Sequence, residues 1–304
     1  SMAAQRTIGI DVGGTKILAG VVERDGSVLR SERRETPTES TEAFLAGLAE
    51  VVDTLRDESV VAVGIGIPST IDQRTGSSVF SVHVPLEGVP LRERGEHYLG
   101  LPVAVDNDAN AAAVAEWTVG AGRGTQHMVM LTLGTGIGGG LILGGRLYRG
   151  ATGAAAELGH IVIEFDGPEC RGACTGRGHF ERFASGSAAD DLARELLGPE
   201  ADSKQLVAAA RDGDERAVRA FVDIGRRLGA GLASLVNAFD PEVVVIGGGF
   251  GEALDLMLDP ALETMRRDAL PPGRDNVRIV PAELGEDAGM VGAGLIAFEA
   301  LDED

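Results

Sequence analysis

Cysteine is nearly absent from this chain: 304 residues hold two, Cys170 and Cys174. So close a pair does not make the disulfide framework of a small secreted scaffold, and the expectation is a reducing, cytoplasmic compartment. Lysine is just as scarce, with Lys16 and Lys204 alone. Against 47 Asp and Glu stand 27 Lys and Arg, for a formal net charge of −20. Such a surface repels phosphate backbones, which argues against DNA or RNA as a partner. Any polyanionic ligand needs a site that makes its own local positive field. No apolar run approaches the roughly eighteen residues of a membrane span. No charged segment followed by an apolar one opens the chain, so no secretion signal is expected.

The chain does have the makings of a core. A hydrophobic fraction of 44% with 24% charged residues reads as globular, and the length suits two ordinary domains or one large one. "RTIGIDVGGTKILAGVVERDGSVL" reads as strand, glycine turn, strand, Asp-Gly turn, strand. Residues 41–57 carry Phe44, Leu45, Leu48, Val51, Val52 and Leu55 at helical spacing. "VVAVGIGIPS" reads as a buried strand, and "LPVAVDNDANAAAVAEW" as a strand running into an alanine-rich helix. "HMVMLTLGTGIGGGLILGGRLYRG" then repeats the opening pattern of three strands. A repeat one domain apart predicts two similar α/β domains facing each other. Residues 188–237 read as mostly helical, "VVVIGGGFGE" as a strand ending in glycines, and "AGMVGAGLIAFEAL" as an apolar helix.

The glycine turns decide the chemistry. "GIDVGGTK" nearly matches a P-loop and "GTGIGG" fits a dinucleotide fingerprint, but each leads into a strand rather than a helix. That context demotes both readings. As a pair they make a two-sided phosphate clamp, with Asp11, Gly13, Gly14, Thr15 and Lys16 on one turn and Gly134, Thr135 and Gly136 on the other. Asp11 would hold Mg²⁺ through water, and Gly248 and Gly249 would pack against a nucleotide.

"AVDNDANAAAVAE" puts Asn107 and Asp108 at a strand-to-helix junction. Either an N-cap or a functional carboxylate suits that place. The helix N-terminus should keep Asp108 ionised and a weak base. A last cluster gathers both cysteines and two of the five histidines: His160, Cys170, Cys174 and His179. Two thiolates and two imidazoles suit tetrahedral, structural Zn²⁺. A redox cysteine pair is the alternative, without the expected surrounding context.

"DVGGTK", "NDANAAAVAE", "LGTGIGGG" and "ELGH…C…C…GRGHFE", in that order, resemble the ROK family of sugar kinases and sugar-responsive repressors. The resemblance implies a two-domain actin-like ATPase fold with a cleft. The domains would span 1–117 and 118–289, with residues 290–304 packing back on the first. It implies ATP-dependent phosphorylation of a hexose, glucose at its 6-hydroxyl first, with Asp108 as general base. N-acetylmannosamine, fructose, allose and N-acetylglucosamine are the alternative acceptors.

Glu157, His160 and Glu181 match the family's readers of sugar hydroxyls, with Asn107 orienting the sugar through both amide atoms. Gly66 and Ser69 fall at the sugar pocket. Ser69 replaces the family's usual glycine, and His83 lies near a usual Asn, which points to retuned sugar choice. The family's zinc site has three cysteines and one histidine. Here His179 stands for the last cysteine, and the Cys170–Cys174 gap is longer by Gly172-Ala173.

Repressors of the family carry a helix-turn-helix segment before the first strand, and a strand opening near Thr7 leaves no room for one. A sugar-binding pseudokinase is disfavoured by the retained Asp11, Thr15, Asn107, Asp108 and Thr135, and a polyphosphate donor by the acidic charge. Homodimers are common in the family.

Overall fold

The computed structural model describes residues 4–81 and 83–303. Its first sheet follows the apolar alternation. β1 (Arg6–Val12) and β2 (Lys16–Val22) form a hairpin, and the Asp25-Gly26 turn leads into β3 (Val28–Glu35), antiparallel to β2. α1 (Thr41–Leu55) is capped by the Ser40 side chain and buries the six apolar positions read at helical spacing. β4 (Val60–Ile67) returns parallel to β1. A small hairpin follows at once, β5 (Ser69–Asp72) with β6 (Ser77–Ser81). α2 (Leu91–Leu99) leads to β7 (Val103–Asn107), parallel to β4, and the sheet order is β3-β2-β1-β4-β7. α3 (Asp108–Val119) starts where β7 ends.

The second sheet repeats that arrangement. β8 (Met128–Leu133) and β9 (Ile137–Ile142) form a hairpin. β10 (Val243–Gly247) and β11 (Arg278–Pro281) add in parallel, in the order β11-β10-β8-β9. The expected third strand is not formed: one bridge, Ile142 to Leu147, is all that remains of it. The chain leaves the edge because Arg149 turns inward onto Asp106 at 2.8 Å and Gly150 adopts a φ of 78°. A stretched strand there would forfeit that buried ion pair.

Between β9 and β10 lie α4 (Glu181–Ala184), α5 (Gly186–Leu197), α6 (Ser203–Arg211) and α7 (Glu215–Phe239). The stripe Phe221, Ile224, Leu228, Leu232 and Leu235 on α7 is buried in the core shared with α8 (Leu254–Asp268). After α9 (Gly273–Asn276), α10 (Ala288–Asp302) returns to lie on the first sheet and on α3. Its approach depends on Gly64 of β4, where a Cβ would stand 1.8 Å from the Ala293 carbonyl. Any side chain there would push α10 off the sheet. Among the described residues no helix is long and apolar enough to cross a membrane.

Candidate active site

The strand ends of the two sheets and the starts of α3 and α10 surround a cleft of about 920 Å³. Asp11 closes β1 and lines it, and so do Gly248 and Gly249 beyond β10. Gly289 packs face to face with Asp11: a Cβ there would lie 2.7 Å from the carboxyl carbon. Only a residue without a side chain lets α10 start beside that carboxylate.

The cleft walls bear Asp11, Asp108, Glu116, Glu252, Asp255, Glu283 and Glu286, and no lysine or arginine lines it. Thr15 and Lys16 sit exposed at the tip of the first hairpin turn, and Thr135 is exposed on the second. Gly14 lies on the first turn and Gly134 and Gly136 on the second. None of the turn residues from Gly13 to Lys16 or from Gly134 to Gly136 lines the cleft. The expected clamp residues thus lie on two turns and are not among the residues that line the cleft. Each turn is closed by its own backbone, Gly13 N–H to the Lys16 carbonyl at 2.8 Å and Gly134 N–H to the Gly136 carbonyl at 2.9 Å. His83 packs over Gly14, where a Cβ would stand 3.3 Å from its own, so it neighbours the first glycine turn.

Asp108 is the first residue of α3 and lines two cavities at once: the large cleft and a second of about 50 Å³, bounded by Thr70, Asn107, Asn110 and Glu157 among others. The capping question is settled by its neighbour, since the Asn107 side chain accepts from Ala109 N–H at 2.9 Å as the N-cap. The expectation that Asp108 is a weak base does not hold. Its carboxyl is pushed up to about 7, first by desolvation and then by the charge of Asp11; the Ala109 N–H pulls the other way without prevailing. The helix terminus loses because the Asp108 carboxyl is desolvated and lies near a second carboxylate. Asp11 itself is pushed up to about 6 by desolvation.

Asn107 does not have both amide atoms free. Oδ1 accepts from Ala109, and Nδ2 donates to the Ser69 carbonyl at 3.0 Å. Ser69 is buried, and its hydroxyl is bonded to Ser78 Oγ at 2.7 Å and to the Phe80 carbonyl, inside the β5–β6 hairpin. It therefore holds Asn107 through its carbonyl rather than offering a hydroxyl to a ligand. Gly66 is also buried, beneath α3, where a Cβ would meet Ala111 and Asp108 at 3.5 and 3.7 Å. It lines neither cavity, because β4 runs under the helix there.

The remaining carboxylates lie near enough to feel each other's charge. Glu157 Oε1 accepts from Thr70 Oγ1 at 3.1 Å. Glu181 is raised, first by desolvation and also by the charge of Glu157, with His160 opposing. His160 Nε2 lies 3.3 Å from Glu181 Oε1. The other ring nitrogen turns to the cysteines: one ligand atom from each of His160, Cys170, Cys174 and His179 lies within 4.8 Å of all the others. His160 Nδ1 is 3.0 Å from His179 Nδ1, which is 3.0 Å from Cys170 Sγ and 3.7 Å from Cys174 Sγ. Both cysteines are free thiols. The two-residue insertion forms a turn with Gly172 at a φ of 69°, so Cys170 keeps its place despite the longer gap.

Among the residues missed in the sequence are Thr70 and Glu116. Thr70 gave no signal, being one hydroxyl in a polar hairpin. Glu116 did give one: after Asp108 it is the only charged residue in α3. It is fully buried and accepts the N–H groups of Ala121, Glu283 and Leu284 at 3.1, 2.9 and 3.0 Å, tying the cleft wall after β11 to α3.

Comparison with known proteins identifies the family. A model of the ROK family matches residues 7–300. The glucokinase of Streptomyces coelicolor is 39% identical, over 96% of this chain and 98% of that protein. A ROK family glucokinase from Streptomyces griseus, solved with glucose and AMPPNP, aligns with a TM-score of 0.81 at 38% identity, covering 97% of this chain and 99% of that one. A ROK hexokinase from Thermus thermophilus aligns with a TM-score of 0.87 at 35% identity, covering 99% and 100%. The chain belongs to the ROK family and has its two-domain actin-like ATPase fold.

Proposed function

We propose that this protein is a glucokinase, transferring the γ-phosphoryl group of Mg-ATP to the 6-hydroxyl of glucose. The observation that carries the reading is the place of Asp108, the one carboxylate that lines both the large cleft and the small cavity beside Glu157. A nucleotide in the cleft and a sugar against Asn107, Glu157, His160 and Glu181 would meet there. With its carboxyl near 7, Asp108 is matched to taking a hydroxyl proton at neutral pH. The transition state of phosphoryl transfer is loose, so placement of the two oxygens supplies most of the rate.

The acidic cleft has a consequence. With no cation among its lining residues, the nucleotide's charge must be met by Mg²⁺ and by backbone N–H groups. Asp11, a carboxylate at the cleft edge, fits a magnesium ion held through water. The glycine turns carrying Thr15, Lys16 and Thr135 would reach the phosphates when the domains close. Such closure implies domains of about 1–117 and 118–289 moving against each other, with residues 290–304 riding on the first.

The Cys/His cluster fits zinc by its donors, two sulfurs and two imidazole nitrogens. Bound there, zinc would supply a fixed loop, not a reactive oxygen. Desolvation, and then the Cys174 sulfur, push the Cys170 thiol up to about 11, and a divalent cation would displace that proton.

The test is ADP release with Mg-ATP across hexoses and N-acetylhexosamines, with Asp108→Ala alongside. Turnover of glucose that the variant loses is the expected result. Preference for N-acetylmannosamine, fructose, allose or N-acetylglucosamine would replace the acceptor. Silence on every sugar would overturn the kinase reading in favour of a sugar-sensing role.

A further inference from the structure

Asn110 carries the one buried side-chain atom, among the described residues, that has no hydrogen-bond partner: its Oδ1. The residue is 2% exposed. Its amide is not free to flip. Nδ2 donates to Asp106 Oδ1 at 2.8 Å. Asp106 is buried and also accepts from the Asn107 N–H at 2.8 Å and from Arg149 Nε at 2.8 Å. A carboxylate held by a guanidinium offers acceptors only, so the NH₂ must face it and Oδ1 must face away. Asn110 is therefore a fixed acceptor, set by a charge pair between β7 and the segment that follows β9.

An acceptor so buried should have a donor. Asn110 lines the small cavity with Thr70, Asn107, Asp108 and Glu157. The donors nearby are turned elsewhere: the Thr70 hydroxyl to Glu157 and the Asn107 NH₂ to Ser69. The donor must then come from outside the chain, as a water or as a hydroxyl of the ligand that fills the cavity.

We infer that Asn110 is a specificity-determining residue whose Oδ1 accepts a hydrogen bond from one hydroxyl of the sugar seated against Asp108. This rests on the sugar-kinase reading and deepens it. Asp106 and Arg149 act through Asn110 as positioning residues. They fix which end of the amide the sugar meets.

The test compares the wild type with Asn110→Leu on glucose and its monodeoxy and deoxyfluoro analogues, by turnover and by calorimetric binding. In the wild type, deletion of the read hydroxyl should cost about 10- to 100-fold, and its replacement by fluorine, which cannot donate, about as much. In the variant that one penalty should shrink to about twofold while the penalties at the other hydroxyls persist. A role in packing alone, or a resident water as the donor, would weaken all the sugars in proportion, and that unchanged pattern would overturn the inference. Should Asn110→Leu not fold, Asn110→Ser serves the same comparison. The two readings fail differently. Sugar binding with the expected pattern but without phosphorylation would sink the kinase and leave Asn110 standing. Glucose turnover with an unchanged pattern would do the reverse. Absence of any sugar binding would overturn both.

Discussion

His160 joins the cysteine cluster to the carboxylates, its Nε2 lying 3.3 Å from Oε1 of Glu181. Its Nδ1 faces His179, 3.0 Å away, and through it the two thiols. The ring is thus oriented at both nitrogens, and Glu181 is placed by whatever places His160. Loops held by metal transmit order in this way.

If zinc fills the cluster, its removal should act on the sugar and spare the nucleotide. Dialysis against a chelator, or His179→Ala, is expected to raise the KM for glucose about 10- to 100-fold. The KM for ATP should stay within about twofold, since no cluster residue lines the large cleft. Metal analysis and steady-state kinetics before and after zinc is restored check this. Equal losses in both KM values would show general unfolding instead.

Asp108 should govern activity and stability in opposite senses. Activity requires the deprotonated carboxylate, so kcat should rise with pH up to about 7 and level beyond it. Stability runs the other way. The folded carboxyl keeps its proton above the ordinary value of 3.8, so the unliganded protein should lose stability as pH rises from there to about 7. Asp108→Asn should lower kcat by about 10²- to 10⁴-fold. It should also melt higher than the wild type at pH 8, by roughly 2–4 °C for each kcal/mol relieved, with the gap closing near pH 4. Melting curves at both pH values decide it. A variant less stable at pH 8 would contradict the account.

Glu116 should matter to a site it is never expected to touch chemically. Glu116→Gln puts an NH₂ among three backbone N–H donors. The expected loss is about 2–4 kcal/mol in chemical denaturation. The KM for ATP should rise as the wall at Glu283 loosens, while glucose binding by calorimetry stays put. Loss of sugar binding at unchanged ATP affinity would refute this.

Much of this was legible in the chain. Apolar periodicity gave β1, β2, β4, α1 and α7 because each element buries one face or one stripe, and the repeat of glycine hairpins announced two similar sheets. The Cys/His cluster was legible because such residues are otherwise so rare here. What the spacing did not show is the structural work of some motif residues. The structure spends the polar groups of Ser69 and Asn107, and the missing side chain of Gly66, on holding α3 and β5 together. The third strand of the second sheet had a strand's sequence and lost to an ion pair with a residue 43 positions earlier in the chain.

By itself the sequence determined which residues are candidates: the hairpins, the helix that begins at Asp108, and the four residues of the Cys/His cluster, all set by local spacing. Only the tertiary structure decided what those candidates are worth. The basicity of Asp108 comes first from desolvation by burial and then from the charge of Asp11, which belongs to another strand. The orientation of Asn110 comes from Asp106, which is held in turn by Arg149 from the segment after β9. Proton affinity and amide orientation depend on charges and dielectric over a few ångströms of space, and distance along the chain carries no record of them.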